Sequence, residues 1–310
     1  MLASRLKQLS VVFALLFSLL SCDKIEFRNY LGTGANPRQE PESRVVETKL
    51  GKPQIWLDTL CSRSFTGRKA GTIGNSLAAK YLFSEVNKMG YAPYYQIFVH
   101  SSGDTLRNIL IEKKGKTDSL IVIGAHFDGQ YESYGDNHYQ AANDNGSGVV
   151  TLLSILDSLS SVDTLNYTLC CAFWDGEEGS LAPPYKGSSY FVSNVTIKNK
   201  VVLYINIDAM GHNHDNTMIL GWYGGERVRR MIDILYKEAQ FSYMPISRGK
   251  GEGSSDYRSF SKEGIPYISY TDKTLNCDYP QHSVDDITDA IDMNRLSRVK
   301  EVTIQIINEY

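Results

Sequence analysis

The spacing of apolar residues along this chain alternates between a helical period and continuous runs. Between residues 75 and 89 apolar side chains recur with the spacing of one helix face, which predicts a helix that ends at Gly90. Residues 120–125 form a continuous apolar run, which is typical of a strand at the centre of a parallel sheet. By the same criteria we predict further helices at 148–159, 226–240, 255–263 and 293–308, and strands at 106–112, 167–174, 201–207, 216–223 and 266–270. This alternation predicts the α/β class, as a three-layer sandwich around a mixed, mostly parallel central sheet.

The first 44 residues differ in character and are not predicted to belong to this fold. Two basic residues precede an apolar run at 11–20, so residues 1–21 are predicted to be a secretory signal peptide. That run is too short for a membrane span, which takes about 20 apolar residues. It ends in Leu-Leu-Ser-Cys at 19–22, which resembles a bacterial lipobox and predicts a lipid on Cys22; a plain signal peptide with an incidental cysteine is the alternative. The mature protein is then expected in the cell envelope, anchored to a membrane outside the cytoplasm.

Residues 22–44 are polar and contain scattered glycine and proline, as a tether does. No second linker and no internal repeat follow, so residues 45–310 are predicted to be one domain.

Composition excludes some classes of partner and leaves the cysteine pairing open. The net charge is −3 and 22% of the residues are charged, which gives no sign of a nucleic-acid surface or a polybasic membrane patch. Cys170 and Cys171 are adjacent in a predicted strand, point to opposite faces and cannot easily pair with each other. A bridge from Cys277 to Cys61 or to Cys170 remains open in an oxidising compartment.

Three predicted strands end in residues that carry chemistry. His126 and Asp128 follow the first of them, and Asp208 follows the strand at 201–207. The strand between them is followed by three carboxylates within four residues: Asp175, Glu177 and Glu178. Because such folds collect their functional groups at the carboxyl ends of the strands, we expect these side chains to meet at one edge. Clustered acids repel one another and lose solvation, so the arrangement predicts a cation nearby.

Imidazole and carboxylate groups at one edge suit zinc, with cobalt or manganese as alternatives. The candidate ligands are His126, Asp144, Glu178, Asp208 and His282. Asp144 lies in a turn of small residues and His282 in a C-terminal loop that must fold back over the site. Each signal alone has an ordinary explanation, because a His-x-Asp pair is usually a surface pair and a Glu-Glu pair is usually a solvated helix start.

Taken together, these motifs resemble the M28 family of zinc aminopeptidases and its relatives, the glutaminyl cyclases. The matching elements are Gly-Ala-His-Phe-Asp at 124–128, Asn-Asp-Asn-Gly-Ser-Gly at 143–148, Gly-Glu-Glu at 176–178, Ile-Asp at 207–208, Ser-Asp-Tyr at 255–257 and His-Ser-Val-Asp-Asp at 282–286. The segment 63–75 also resembles the N-terminal part of that family, so the resemblance covers most of residues 60–300. It implies a zinc-exopeptidase-like fold and a catalytic domain at 45–310.

The resemblance also implies a role for each candidate. Asp144 would bridge two zinc ions, with His126 and Asp208 completing one site and Glu178 and His282 the other. Glu177 would bind no metal and would act as general base on the metal-activated water. Asp128 would accept the other ring N–H of His126, and Asp256 would support the site near the substrate's amino end. The implied substrates are peptides with a free N-terminus.

Two other functions fit the same residues. A glutaminyl cyclase would use one zinc ion to cyclise an N-terminal glutamine, and Asp-Gly-Glu-Glu at 175–178 resembles the cyclases somewhat. The motifs at 143–148 and 255–257 resemble the peptidases more closely. A metal-binding lipoprotein without activity is the third possibility, and the presence of Glu177 argues against it.

Overall fold

The structure is a computed structural model that describes residues 51–179, 183–212, 217–238, 242–272 and 280–310. The predicted signal peptide, Cys22, the tether and Cys277 lie outside these ranges. The helices are α1 Lys52–Leu60, α2 Ile73–Lys88, α3 Gly148–Leu159, α4 Lys186–Ser193, α5 Val195–Lys198, α6 Glu226–Glu238, α7 Tyr257–Lys262 and α8 Met293–Glu309. The strands are β1 Tyr94–Val99, β2 Thr105–Lys113, β3 Gly115–His126, β4 Leu165–Trp174, β5 Val201–Ile207, β6 Thr217–Tyr223, β7 Ser242–Ser247 and β8 Tyr267–Asp272.

The described strands form one mixed sheet in the order β1-β2-β4-β3-β5-β8-β6-β7. At its centre β4, β3, β5 and β8 run parallel, whereas β1, β2 and β4 pair antiparallel, as do β8 and β6. The register places Gly124 opposite both Ala172 and Asn206, so β3, β4 and β5 end at the same edge. This confirms the predicted fold class and places the residues that follow those three strands side by side.

Helices cover both faces of the sheet because its central strands alternate apolar side chains to either side. Ile121 and Ile123 contribute to a core beneath α1, α2, α3, α6 and α8, while Val122 faces a second core with Phe191 of α4 and Phe260 of α7. Cys170 and Cys171 fall into different cores and are both free thiols, which confirms that they fill space on opposite faces. Two buried faces explain why these strands are continuous apolar runs in the sequence.

Helix starts follow local capping chemistry. The Thr72 hydroxyl accepts a hydrogen bond from the Asn75 N–H at 3.3 Å, which caps α2. The Asp292 carboxylate accepts from the N–H groups of Asn294 and Arg295 at 2.9 and 3.3 Å, which caps α8. These caps explain why both helix starts fall within two residues of their predicted positions.

The sequence did not predict α1, α4, α5 or the two edge strands β1 and β7. The outer strand β1 leaves Ile97 and Val99 59% and 71% exposed, so it lacks the buried pattern by which the central strands were found. Within the described ranges no helix has the length and apolarity needed to cross a membrane.

Candidate metal centre

Three predicted ligands meet at the ends of β3 and β5. His126 is the last residue of β3 and Asp208 directly follows β5, and the His126 Nε2 atom lies 3.2 Å from Asp208 Oδ1. The same Nε2 atom lies 3.2 Å from Asp144 Oδ1. The ligand atoms of these three residues can therefore surround one ion.

A second group of three uses the other oxygen of Asp144. His282 Nε2 lies 3.2 Å from Asp144 Oδ2 and 2.9 Å from Glu178 Oε2. Asp144 thus belongs to both groups, and each of its oxygens faces a different one. The five residues proposed as ligands from sequence are all brought together, in two sets that share this carboxylate.

Glu177 lies beside the first group without belonging to it. Its Oε2 atom is 3.9 Å from His126 Nε2, and the residue is 7% exposed. The neighbouring Glu178 points into the second group, so the two adjacent glutamates serve different places in the site.

Asp128 differs from its prediction in its contacts. The Nδ1 atom of His126 lies 3.1 Å from the backbone carbonyl of Asp128 and 3.7 Å from its carboxylate. A carbonyl only accepts, so this contact requires the proton on Nδ1, and Nε2 is the ring nitrogen that faces Asp144 and Asp208. The Asp128 carboxylate instead accepts hydrogen bonds from the N–H groups of Glu177 and Glu178 at 3.1 and 3.2 Å. Asp128 therefore orients the histidine through its backbone and the two glutamates through its side chain.

The segment that carries Asp144 is held by side chains from distant parts of the chain. Asp286 accepts from the N–H groups of Asn143 and Asp144 at 2.7 and 3.1 Å. Asn145 accepts from Gly148 N–H and donates to the Ile207 carbonyl, both at 3.0 Å. These contacts tie the segment to β5 and to the loop of His282.

The electrostatics of the site favour a bound cation. Burial, reinforced by the charge of Asp144, raises the pKa of Glu178 to about 8. Burial also raises the pKa of Glu177 well above its usual range. Burial alone would lower the pKa of His126, but the charges of Glu177 and Asp208 outweigh that effect and raise it. No lysine or arginine is among the described residues that line the cleft, so the imidazoles of His126 and His282 are what offsets the charge of these acids.

An unsatisfied oxygen tests whether the residues fit a metal. Glu178 Oε1 is buried and has no hydrogen-bond partner, although an unpaired buried carboxylate oxygen is costly. Oxygen and imidazole donors in this number are the ligand set of zinc sites, with two ions held by a shared carboxylate. The residues present therefore fit a pair of divalent cations.

Behind the first group lie Ser255 and Asp256. The Ser255 hydroxyl donates to Asp208 Oδ2 at 2.5 Å, which orients that carboxylate. Asp256 is 1% exposed and neither of its carboxylate oxygens has a hydrogen-bond partner, and burial raises its pKa to about 7. Asp256 thus lies close to the site, as the motif at 255–257 suggested.

Asp175, His100 and His212 lie outside the two ligand groups. Asp175 accepts from Asn75 Nδ2 and from the Arg107 N–H, both at 2.9 Å, so it supports the fold beneath the cleft. His100 belongs to a turn with Ser102. His212 lies past the end of β5 and is not in either ligand group, while His214 lies outside the described residues.

Sequence reasoning missed several residues at the site. Tyr185 and Gln281 line the cleft around Glu177, and Tyr131 and Tyr139 line its side near His282. None of them belongs to a motif with a chemical signature, so only the folded chain could identify them.

The sequence profile of peptidase family M28 matches residues 108–307 of this chain. The chain belongs to this family. Among curated M28-like relatives, aminopeptidase Y from Saccharomyces cerevisiae is 26% identical over 244 residues, which cover 73% of this chain and 40% of that protein. The chain thus spans about a third to two fifths of the length of the first curated relatives it matches (32% and 40%).

Solved structures show the same fold. BSAP, a zinc aminopeptidase from Bacillus subtilis, is 14% identical with a TM-score of 0.69 and covers 82% of this chain and 93% of its own. A glutaminyl cyclase from Porphyromonas gingivalis is 21% identical with a TM-score of 0.66 and covers 83% of this chain and 96% of its own. At these identities the two structures support the M28-type fold and leave the reaction to be argued from the site.

Proposed function

We propose that this M28 protein is a zinc-dependent aminopeptidase that hydrolyses the N-terminal peptide bond of peptides. The observation that carries the proposal is the pair of ligand groups that share Asp144. Two positions for a divalent cation about 3.5–4 Å apart are the arrangement used by hydrolytic aminopeptidases. We propose two zinc ions, with His126, Asp144 and Asp208 at one position and Asp144, Glu178 and His282 at the other.

Zinc at these positions would supply Lewis acidity toward the scissile carbonyl and lower the pKa of a water molecule. Glu177 is the general base in this proposal. It lies beside the first ligand group and belongs to neither, so its carboxylate is available to take a proton from the attacking water. It then gives that proton to the leaving amine.

Two neighbouring groups keep Glu177 in place. The Asp128 carboxylate accepts from the Glu177 N–H at 3.1 Å, and the Glu177 carbonyl accepts from the Tyr185 N–H at 3.2 Å. Tyr185 also lines the open cleft around the base, where a substrate must enter. Substrates with a free N-terminus fit this cleft because its described lining is acidic and contains no lysine or arginine.

The second candidate function is a glutaminyl cyclase with one zinc ion. It is supported by the likeness to the Porphyromonas gingivalis enzyme and by Asp-Gly-Glu-Glu at 175–178. The complete second ligand group favours hydrolysis, because a single-ion reaction does not require both sets.

We also propose that the protein is lipid-anchored through Cys22 in the cell envelope. The support is the order of basic residues, apolar run, small residue and cysteine in the first 22 residues. Metabolic labelling with a fatty-acid analogue should tag the protein, and Cys22→Ala should abolish the label.

Parallel assays on aminoacyl arylamides and N-terminal glutaminyl peptides, with metal content measured, would test the reaction. Release of arylamine with two zinc ions per chain is expected. Cyclisation with one zinc per chain and no arylamine would contradict the peptidase proposal, and no turnover of either substrate would support an inactive lipoprotein.

A Glu177→Gln variant distinguishes whether Glu177 acts as a general base or as a metal ligand. We expect activity to fall about 10²–10⁴-fold, the usual contribution of a general base, while metal content stays unchanged. Loss of metal along with activity would show that Glu177 is a ligand.

A further inference from the structure

The Arg68 side chain is fully buried yet forms no ion pair with any described carboxylate. Its guanidinium instead donates to four backbone carbonyls. These are Leu60 at 2.8 Å, Phe127 at 2.9 Å, Gln140 at 2.9 Å and Ala141 at 2.8 Å. A desolvated guanidinium is costly unless its donors are satisfied, and here four of its five N–H groups are used.

The carbonyls bound by Arg68 belong to three segments, two of which adjoin candidate metal ligands. Leu60 ends α1, Phe127 directly follows the ligand His126, and Gln140 and Ala141 directly precede the segment of Asp144. Arg68 therefore joins the end of β3 to the approach to Asp144 through a single rigid, planar group.

Asp286 binds the same segment two to three residues beyond Ala141, at Asn143 and Asp144. Its carboxylate accepts from the N–H groups of Asn143 and Asp144, and its own carbonyl accepts from the Ala142 N–H at 3.3 Å. The carbonyl groups of Gln140 and Ala141 are thus bound by a cation, and the N–H groups of Asn143 and Asp144 by an anion. The charges match the groups they bind, which makes these hydrogen bonds stronger than neutral ones.

We propose that Arg68 and Asp286 are positioning residues that clamp residues 140–144 and so fix Asp144 where both of its oxygens can serve as ligands. This inference rests on the proposed two-metal function. Asp144 faces His126 with one oxygen and His282 with the other, both at 3.2 Å. A shift of the segment in either direction would lengthen one contact, so a loose segment could not serve both groups.

The segment also needs an external constraint because its own backbone is irregular. Ala141 has a φ of 49°, in the left-handed region that non-glycine residues seldom adopt. Asp144 and Asn145 have non-helical backbone angles, so the turn in which Asp144 lies is not a regular helix. Side chains from outside the segment must supply that restraint.

The test measures zinc affinity of the purified full chain by competition with a chromophoric chelator. The variants are Asp286→Asn, which keeps the shape and removes the charge, and Arg68→Met, which removes all four donors. Loss of a residue that holds a ligand in place typically lowers metal affinity about 10–100-fold, and we expect that loss in both variants. Circular dichroism establishes that each variant is folded under the assay conditions.

Leu82→Ala is the matched control for a general loss of stability. Leu82 is fully buried in α2 and lies in the main core, and its side chain has no hydrogen-bonding group with which to hold residues 140–144. It should unfold at lower denaturant concentration and keep the zinc affinity of the unaltered protein.

The outcomes separate this inference from the proposed function. An unaltered protein that binds zinc and hydrolyses peptides, with Asp286→Asn binding equally tightly, would overturn the clamp alone. Equal losses of affinity in Leu82→Ala and in the two clamp variants would also overturn it. An unaltered protein that binds no zinc would overturn both. If Arg68→Met does not fold, Asp286→Asn decides the question.

Discussion

The two halves of the metal centre are built in different ways. His126 and Asp208 stand at the ends of β3 and β5, whose register is set by paired backbone hydrogen bonds. Asp144 and His282 lie in irregular segments and are placed by side chains such as Asp286. Ligands at strand ends receive their positions from the sheet itself, whereas ligands in loops require residues whose task is to hold them.

The exposure of the two histidines follows the same division. The His126 side chain is 1% exposed, and that of His282 is 38% exposed. Asp144 joins the two halves because each takes one of its oxygens. Substitutions can therefore separate what each half contributes to metal binding and to folding.

Asp144→Asn should have the largest effect because both halves lose their shared ligand. We expect less than one zinc ion per chain and peptidase activity at least as low as that of Glu177→Gln, itself reduced about 10²–10⁴-fold. Metal analysis after gel filtration, together with arylamide turnover, measures both. A variant that keeps one full equivalent of zinc would show that one half binds metal without Asp144.

Substituting the two histidines compares the halves directly. His126→Ala and His282→Ala should each lower zinc content toward one ion. His126→Ala should destabilise the fold more, by about 1–3 kcal/mol, because its imidazole is 1% exposed and its removal leaves buried partners unsatisfied. His282→Ala should destabilise the fold less, because its imidazole is 38% exposed and water can reach Asp144 and Glu178 once it is removed. Urea titrations in the presence of a chelator give both values. Equal destabilisation would contradict the proposed contrast.

Gly148→Ala tests the contact between the Asp144 segment and the sheet. A Cβ atom at Gly148 would lie 2.4 Å from the Ile207 carbonyl oxygen, so we expect a loss of about 1–3 kcal/mol. Gly225 has no heavy atom within 4 Å of such a Cβ, and Gly225→Ala is the matched control. Denaturant unfolding compares the two, and equal stability would mean that the segment does not depend on this close approach.

Ser255→Ala should have the smallest effect. It removes the hydrogen bond to Asp208 and the one from Asn206 Nδ2, each worth about 0.5–1.5 kcal/mol, while β5 still positions Asp208. Zinc titration should show a small loss of affinity at constant stoichiometry. Loss of a whole zinc equivalent would show that Asp208 depends on Ser255 as Asp144 is proposed to depend on Asp286.

Sequence patterns predicted the elements on which this site is built. The bounds of α3 and β5 agree with their predictions, because both elements are buried and their apolar periodicity is strong. The edge strand β1 was not predicted because most of its side chains are exposed. Its sequence therefore lacks the regular alternation of apolar and polar residues that marks a half-buried strand.

The amino-acid sequence by itself determined the fold class, the family motifs and the five candidate ligands. Apolar periodicity and each short motif around a candidate ligand are formed by residues close together in the chain, so both can be read without the fold. Tertiary structure alone decided that the Asp128 carboxylate binds the backbone of Glu177 and Glu178. It also decided that Arg68 and Asp286 hold the segment of Asp144. These contacts join a side chain to backbone groups dozens of residues away. Because every residue carries the same backbone groups, the sequence does not show which backbone N–H or carbonyl group a distant side chain will bind.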